Sequence, residues 1–136
     1  MQSERFKQGM KKLEELTKPT PESPTGHMEV GESFKDVAPD LTRMVVEFAF
    51  GDVYSREGLD NKQKVLTTIS ALVAQGTPQI GMHVVTGLNV GLTPDEIVGC
   101  IMHLIPYVGF PRALNALKVA QEVFAEEGVS ISGSPE

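Results

Sequence analysis

Cysteine is nearly absent from this 136-residue chain, occurring once, at Cys100. That excludes an intrachain disulfide and a cysteine-based zinc site. No apolar run approaches the ~20 residues that span a bilayer, and Met1 to Leu16 is too rich in charge for a signal peptide. Basic residues are the minority charge, 12 Lys+Arg against 18 Asp+Glu, for a formal net charge of −6. This balance argues against a nucleic-acid partner, which calls for a clustered basic face. It leaves room for a small anionic substrate, since one or two local cations suffice for that. The expectation is a cytoplasmic protein with no membrane and no nucleic-acid partner. With 40% hydrophobic residues, a chain of this length buries a core without covalent or metal staples.

What the chain does have is helical periodicity. Residues 4–17 place Phe6, Met10, Leu13 and Thr17 on one face, with Lys and Glu around the rest. Residues 18–27 carry three prolines and a glycine and read as a linker. Residues 1–38 therefore form an arm that must pack on the main body or on a neighbouring subunit. The body spans 39–128. A first helix over 39–50 carries Leu41, Met44, Val45 and Phe48 and ends at Gly51, with Asp52 to Leu59 as a connector. Asp60 and Gln63 form a capping box ahead of a stripe of Val65, Leu66, Ile69, Leu72 and Val73. Gly76 breaks that helix, and Thr77-Pro78 has the form of a new helix start. Ile80, Val84 and Leu88 share its face up to Gly91. Thr93 and Glu96 repeat the capping box ahead of Ile97, Ile101 and Leu104, and Pro106 and Gly109 end or kink that helix. Pro111 opens the last one, with Leu114, Leu117, Ala120 and Phe124 inward and Gly128 as its stop. Residues 129–136 read as a flexible tail. Nothing alternates as a half-buried strand does, so the fold class is all-α: about six helices with short loops and antiparallel helix hairpins.

Four blocks in order resemble the carboxymuconolactone decarboxylase family. They are Phe50 to Asp60, Met82-His83, Gly91 to Ile97, and His103 to Ala113. The resemblance runs from about Phe48 to Phe124. It implies an alkylhydroperoxidase D-like helical fold and a homo-oligomer, a trimer or hexamer, with sites near subunit contacts. One branch of the family reduces peroxides with Cys-x-x-Cys-x-x-x-His and a glutamate twelve residues before the first cysteine. Aligned on His83, those positions hold Gly76, Gln79 and Lys64. No thiolate is available there, so the redox chemistry has no nucleophile. The resemblance implies instead the other branch, the 4-carboxymuconolactone decarboxylase of aromatic catabolism, although a glutamate commonly stands there near the Gln79 position. The alternative is a non-catalytic, oligomeric small-ligand-binding protein of the same fold.

Decarboxylation of a γ-carboxy unsaturated lactone sends the electrons of the breaking bond into the lactone carbonyl. The substrate supplies its own electron sink, so no cofactor or metal is expected. The protein must dock carboxylates, stabilise an oxyanion and deliver a proton to carbon. His83 is the candidate proton donor, against its reading as a core or interface histidine. His103 and Tyr107, four apart, form a donor pair if the helix survives to 107, or a packing hydrogen bond. Arg56 suits a carboxylate, or is a surface charge. Arg112 at a helix start is electrostatically misplaced and calls for a partner, such as an acidic residue across an interface. Lys64 is either a substrate cation or solvated, and Glu47 either orients a histidine or does nothing at the site. These seven residues, three catalytic and four substrate-binding (Arg56, Arg112, Glu47, Lys64), are the sequence-based site.

Overall fold

The computed structural model describes residues 2–18 and 32–133. The described residues are helical and contain no strand, as the apolar spacing predicts. From residue 19 onward the proline-rich linker lies outside the described residues, as do the last three residues of the tail. Among the described residues no helix is long and apolar enough to cross a membrane. The chain divides into two compact units, Met1–Leu59 and Asp60–Glu136.

In the first unit, helix α1 (Glu4–Leu16) starts at Ser3, whose side chain accepts a hydrogen bond from the Phe6 amide. Its inward residues are Gly9, Leu13 and Leu16, with Phe6 and Met10 half-buried beside them. The short α2 (Leu41–Met44) runs directly into a π-helical segment, Val45–Val53. Here the sequence-based boundary is wrong, since the helix does not stop at Gly51. It continues to Val53 with wider hydrogen bonding, and the Tyr54 amide reaches back five residues to the Ala49 carbonyl at 2.8 Å. Gly51 serves packing rather than termination: a Cβ there would collide with the Arg5 carbonyl, and one on Gly9 with the Val46 carbonyl. Two backbones therefore approach at two glycines. The face covered by α1 is Val46, Glu47, Phe50 and Gly51, while Met44 and Phe48 of the expected stripe are exposed.

In the second unit, α3 (Asn61–Gln75) carries the capping box read from Asp60 and Gln63, and ends at Gly76 in the left-handed conformation. The expected start at Thr77-Pro78 does not hold. Residues 77–80 make a turn, and α4 (Gly81–Asn89) begins after the buried Ile80, whose carbonyl accepts from the His83 and Val84 amides. Helix α5 (Pro94–Val108) has the second capping box and continues through Pro106 to Val108. A proline this near the end removes one rung, and the Gly109 amide closes the helix onto the Ile105 carbonyl at 2.9 Å. Gly109, at φ 85°, turns the chain into α6 (Phe110–Glu127), which packs on α5. The buried stripe of α6 is Ala113, Ala116, Ala120, Val123 and Phe124, while the expected core residue Leu114 is 57% exposed. Alanine faces let the helices approach closely, and the core between them is Val65, Ile69, Val73, Val84, Ile97 and Ile101. After Gly128 the chain folds back. Ser132 donates from its amide and hydroxyl to the Asp95 carboxylate, the hydroxyl at 2.7 Å.

Candidate functional site

His83 lies in the first turn of α4, half-buried against the second unit's core. Burial pushes its pKa below the ordinary histidine value, because the imidazolium loses hydration that the neutral ring does not need. At neutral pH the ring is mainly neutral. Lys64 is on α3, which packs on α4, and is also half-buried.

His103 and Tyr107 do share a face of α5, since the helix continues past them. Their rings lie 5.9 Å apart between centroids, tilted by 46°. They do not form a buried structural pair, because His103 is exposed and Tyr107 is 77% exposed. With Met102 and Pro106 they make an exposed, largely apolar strip that continues into Phe110 and Leu114 of α6.

Glu47 and Arg56 belong to the first unit. Glu47, 7% exposed, accepts from the Ser3 hydroxyl and, at 2.8 Å, from Arg43 Nη1. Those bonds hold its carboxyl below the usual range against the opposing effect of burial. Its carboxylate is thus engaged by a helix cap and an arginine, a role the sequence reading did not assign. Two signals for it were present: Arg43 and Glu47 at ion-pairing spacing, and Ser3 as an N-cap. A second clamp joins the same elements, as Arg5 makes a forked contact with Asp52, Nη2 to Oδ2 at 2.7 Å. Arg56 is exposed, in the turn after the π-helical segment.

Within the chain, Arg112 has a carbonyl partner. Its Nη1 donates to the Ala74 carbonyl near the end of α3, where a cation meets the negative end of a helix. It lines a cavity of about 330 Å³, and neither imidazole is among the lining residues. Cys100, half-buried on α5, lies 3.3 Å from the Ser70 hydroxyl. Among the described residues no three His, Cys, Asp or Glu side chains are grouped as a metal site requires.

The structure therefore brings together His103 with Tyr107 and separates Arg112 to its own cavity. Each unit positions its own members of the seven.

The sequence model of the carboxymuconolactone decarboxylase family matches residues 39–122. The chain is 35% identical over 100 residues to a 4-carboxymuconolactone decarboxylase of Acinetobacter baylyi, covering 73% of this chain and 75% of that one. It is 37% identical over 98 residues to an uncharacterized 15.0 kDa protein of Paracoccus denitrificans, 70% of this chain and 73% of that one. A nitrosuccinic acid decarboxylase of Metarhizium robertsii shares 34% identity over 80 residues, 58% of this chain and 56% of that one.

Proposed function

Because the chain belongs to the carboxymuconolactone decarboxylase family, we propose that it is a cofactor-independent carboxy-lyase acting on a small carboxylated lactone of the 4-carboxymuconolactone kind. The observation that carries the reading is His83: an imidazole, half-buried on the first turn of α4, in a chain similar to two proteins named as decarboxylases. The redox positions beside it hold Gly76 and Gln79.

The step is heterolytic. The C–CO2 bond breaks, its electron pair passes through the conjugated system to the lactone carbonyl oxygen, and CO2 leaves. A proton then adds to carbon, restoring the neutral carbonyl. His83 delivers that proton as imidazolium and is reprotonated from water. Its lowered pKa makes the imidazolium a stronger acid, at the expense of its abundance at neutral pH. Lys64, standing where redox relatives carry an acid, supplies positive charge for a substrate carboxylate. His103 and Tyr107 donate to the developing oxyanion.

The exposed strip of Met102, Tyr107, Phe110 and Leu114 supports a further part of the reading. Apolar surface of this kind, interleaved with a histidine and a tyrosine, is covered by another copy of the chain. Association encloses His103 and Tyr107 and dries them, which strengthens their hydrogen bonds to an oxyanion.

The test is incubation of the purified protein with 4-carboxymuconolactone and, separately, with nitrosuccinate, following CO2 release. In the second substrate a nitro group takes the electron pair in place of the lactone carbonyl, and the demand for a proton donor is the same. Turnover of the lactone with loss in His83→Ala supports the proposal. Turnover of nitrosuccinate alone transfers the same chemistry to a nitro acid. No CO2 from either removes the carboxy-lyase reading and leaves ligand binding.

A further inference from the structure

The cavity around Arg112 lies within the second unit, between the end of α3, the 76–80 turn and one face of α6. Its inner wall is apolar, with Val73 and Ile80 buried and Val119 half-buried beside them. Its polar side is mainly a face of α6, where Arg112, Asn115 and Lys118 follow one another at three-residue steps and the exposed Glu122 closes the far end.

Arg112 is held in place rather than left to swing. One guanidinium nitrogen caps the Ala74 carbonyl, and four of the five N–H donors of the group remain for another acceptor. Gly76 keeps that edge open: a Cβ there would stand 3.4 Å from Arg112 Nε, in contact with the group a ligand would approach. Lys118 makes no ion pair among the described residues, although Glu122 stands four positions on. The first turn of α6, which carries Arg112, contains no acidic residue, and the carboxylate of the lining, Glu122, stands ten positions on from Arg112. A fixed guanidinium, an uncommitted ammonium and a side-chain amide above an apolar wall match one chemistry, a carboxylate with a short hydrocarbon body. A volume of about 330 Å³ suits a ligand of that size.

We propose that this cavity is a binding site for a small organic carboxylate, separate from the His83 site. The carboxylate pairs with Arg112 and Lys118, and the body lies on Val73, Ile80 and Val119. This site does not depend on the carboxy-lyase reading.

The experiment is an amide NMR titration of the full chain with pentanoate, with inorganic phosphate and n-butylamine as comparison probes. Pentanoate is expected to shift the Thr77 and Asn115 signals saturably. Arg112→Lys and Lys118→Gln each weaken its binding by about fivefold or more, and His83→Ala leaves it unchanged. Phosphate binds more weakly for lack of a body, and butylamine leaves the signals in place. Lys118 is exposed and makes no hydrogen bond or ion pair among the described residues, so Lys118→Gln reads the site even if Arg112→Lys loosens the end of α3. Shifts that do not saturate, full affinity in Lys118→Gln, phosphate binding as tight as pentanoate, or loss of binding in His83→Ala would each overturn the proposal.

Discussion

His83 and Glu47 are both titratable, both shielded from water, and shifted for different reasons. For His83 the cause is lost hydration alone. If its imidazolium is the proton donor, log kcat/KM falls with slope −1 as pH rises through a pKa below the ordinary value of about 6.5. A pH–rate profile of the decarboxylation checks this, and a limb that rises with pH would make the ring a base. His83→Ala is expected to lower kcat by roughly a hundredfold or more, the lower range for a lost acid–base group, with the fold intact by circular dichroism. The same shift enters stability. A folded-state pKa below the unfolded one means that the unfolded chain takes up the proton first. The His83 contribution is therefore full above about pH 6.5 and declines as pH falls through the lowered value. For Glu47 the causes are the Ser3 hydroxyl and Arg43. Its contribution is present above the ordinary carboxylate range and is lost as pH falls through its depressed value. Glu47→Gln is expected to lower Tm at pH 7 and to leave it nearly unchanged at a pH where Glu47 is already protonated, measured by calorimetry across that range.

Between elements, the sharpest constraint is the crossing of α1 with the π-helical segment. Gly9 sits on the Val46 backbone and Gly51 on the Arg5 backbone, so neither partner yields by a simple rotamer change. Gly9→Ala is expected to destabilise the first unit by about 1–3 kcal/mol, the usual range for overpacking. The gain in helix propensity, up to about 1 kcal/mol, is too small to offset it. Urea denaturation read on the first unit's signals checks the sign, and a stabilised variant would show that α1 does not lie against Val46. The clamp of Arg5 on Asp52 ties the same two elements at the surface, where solvent screens most of its worth.

At the scale of the whole molecule, the proposed association rests on the exposed apolar strip of α5 and α6. Tyr107, Phe110 and Leu114 are 77%, 63% and 57% exposed, which is costly for three large side chains in succession unless a partner covers them. Leu114→Glu, at an exposed position, is expected to leave the protomer folded and shift the wild-type oligomer to monomer in size exclusion with light scattering. Turnover is expected to fall with it, since His103 and Tyr107 would then remain in water. A wild-type monomer, or an oligomer untouched by the charge, would remove this strip as the interface.

The sequence by itself determined the helices of the second unit and most of their limits. Capping boxes at Asp60 and Thr93 and left-handed glycines at Gly76 and Gly128 act within a few residues, so local spacing carries them. It also determined the family, through blocks whose order survives without contacts, and the absence of a thiol pair. Only the tertiary structure decided what depends on a distant neighbour. Gly51 is a glycine whose missing side chain makes room for the α1 backbone, and Leu114 faces outward because the alanines of α6 take the inward side. Arg112 answers to a carbonyl on α3, and Glu47 to a helix cap more than forty residues away in sequence. Periodicity shows that a residue has an apolar side; which backbone meets that side is set by the packing of elements far apart in the chain.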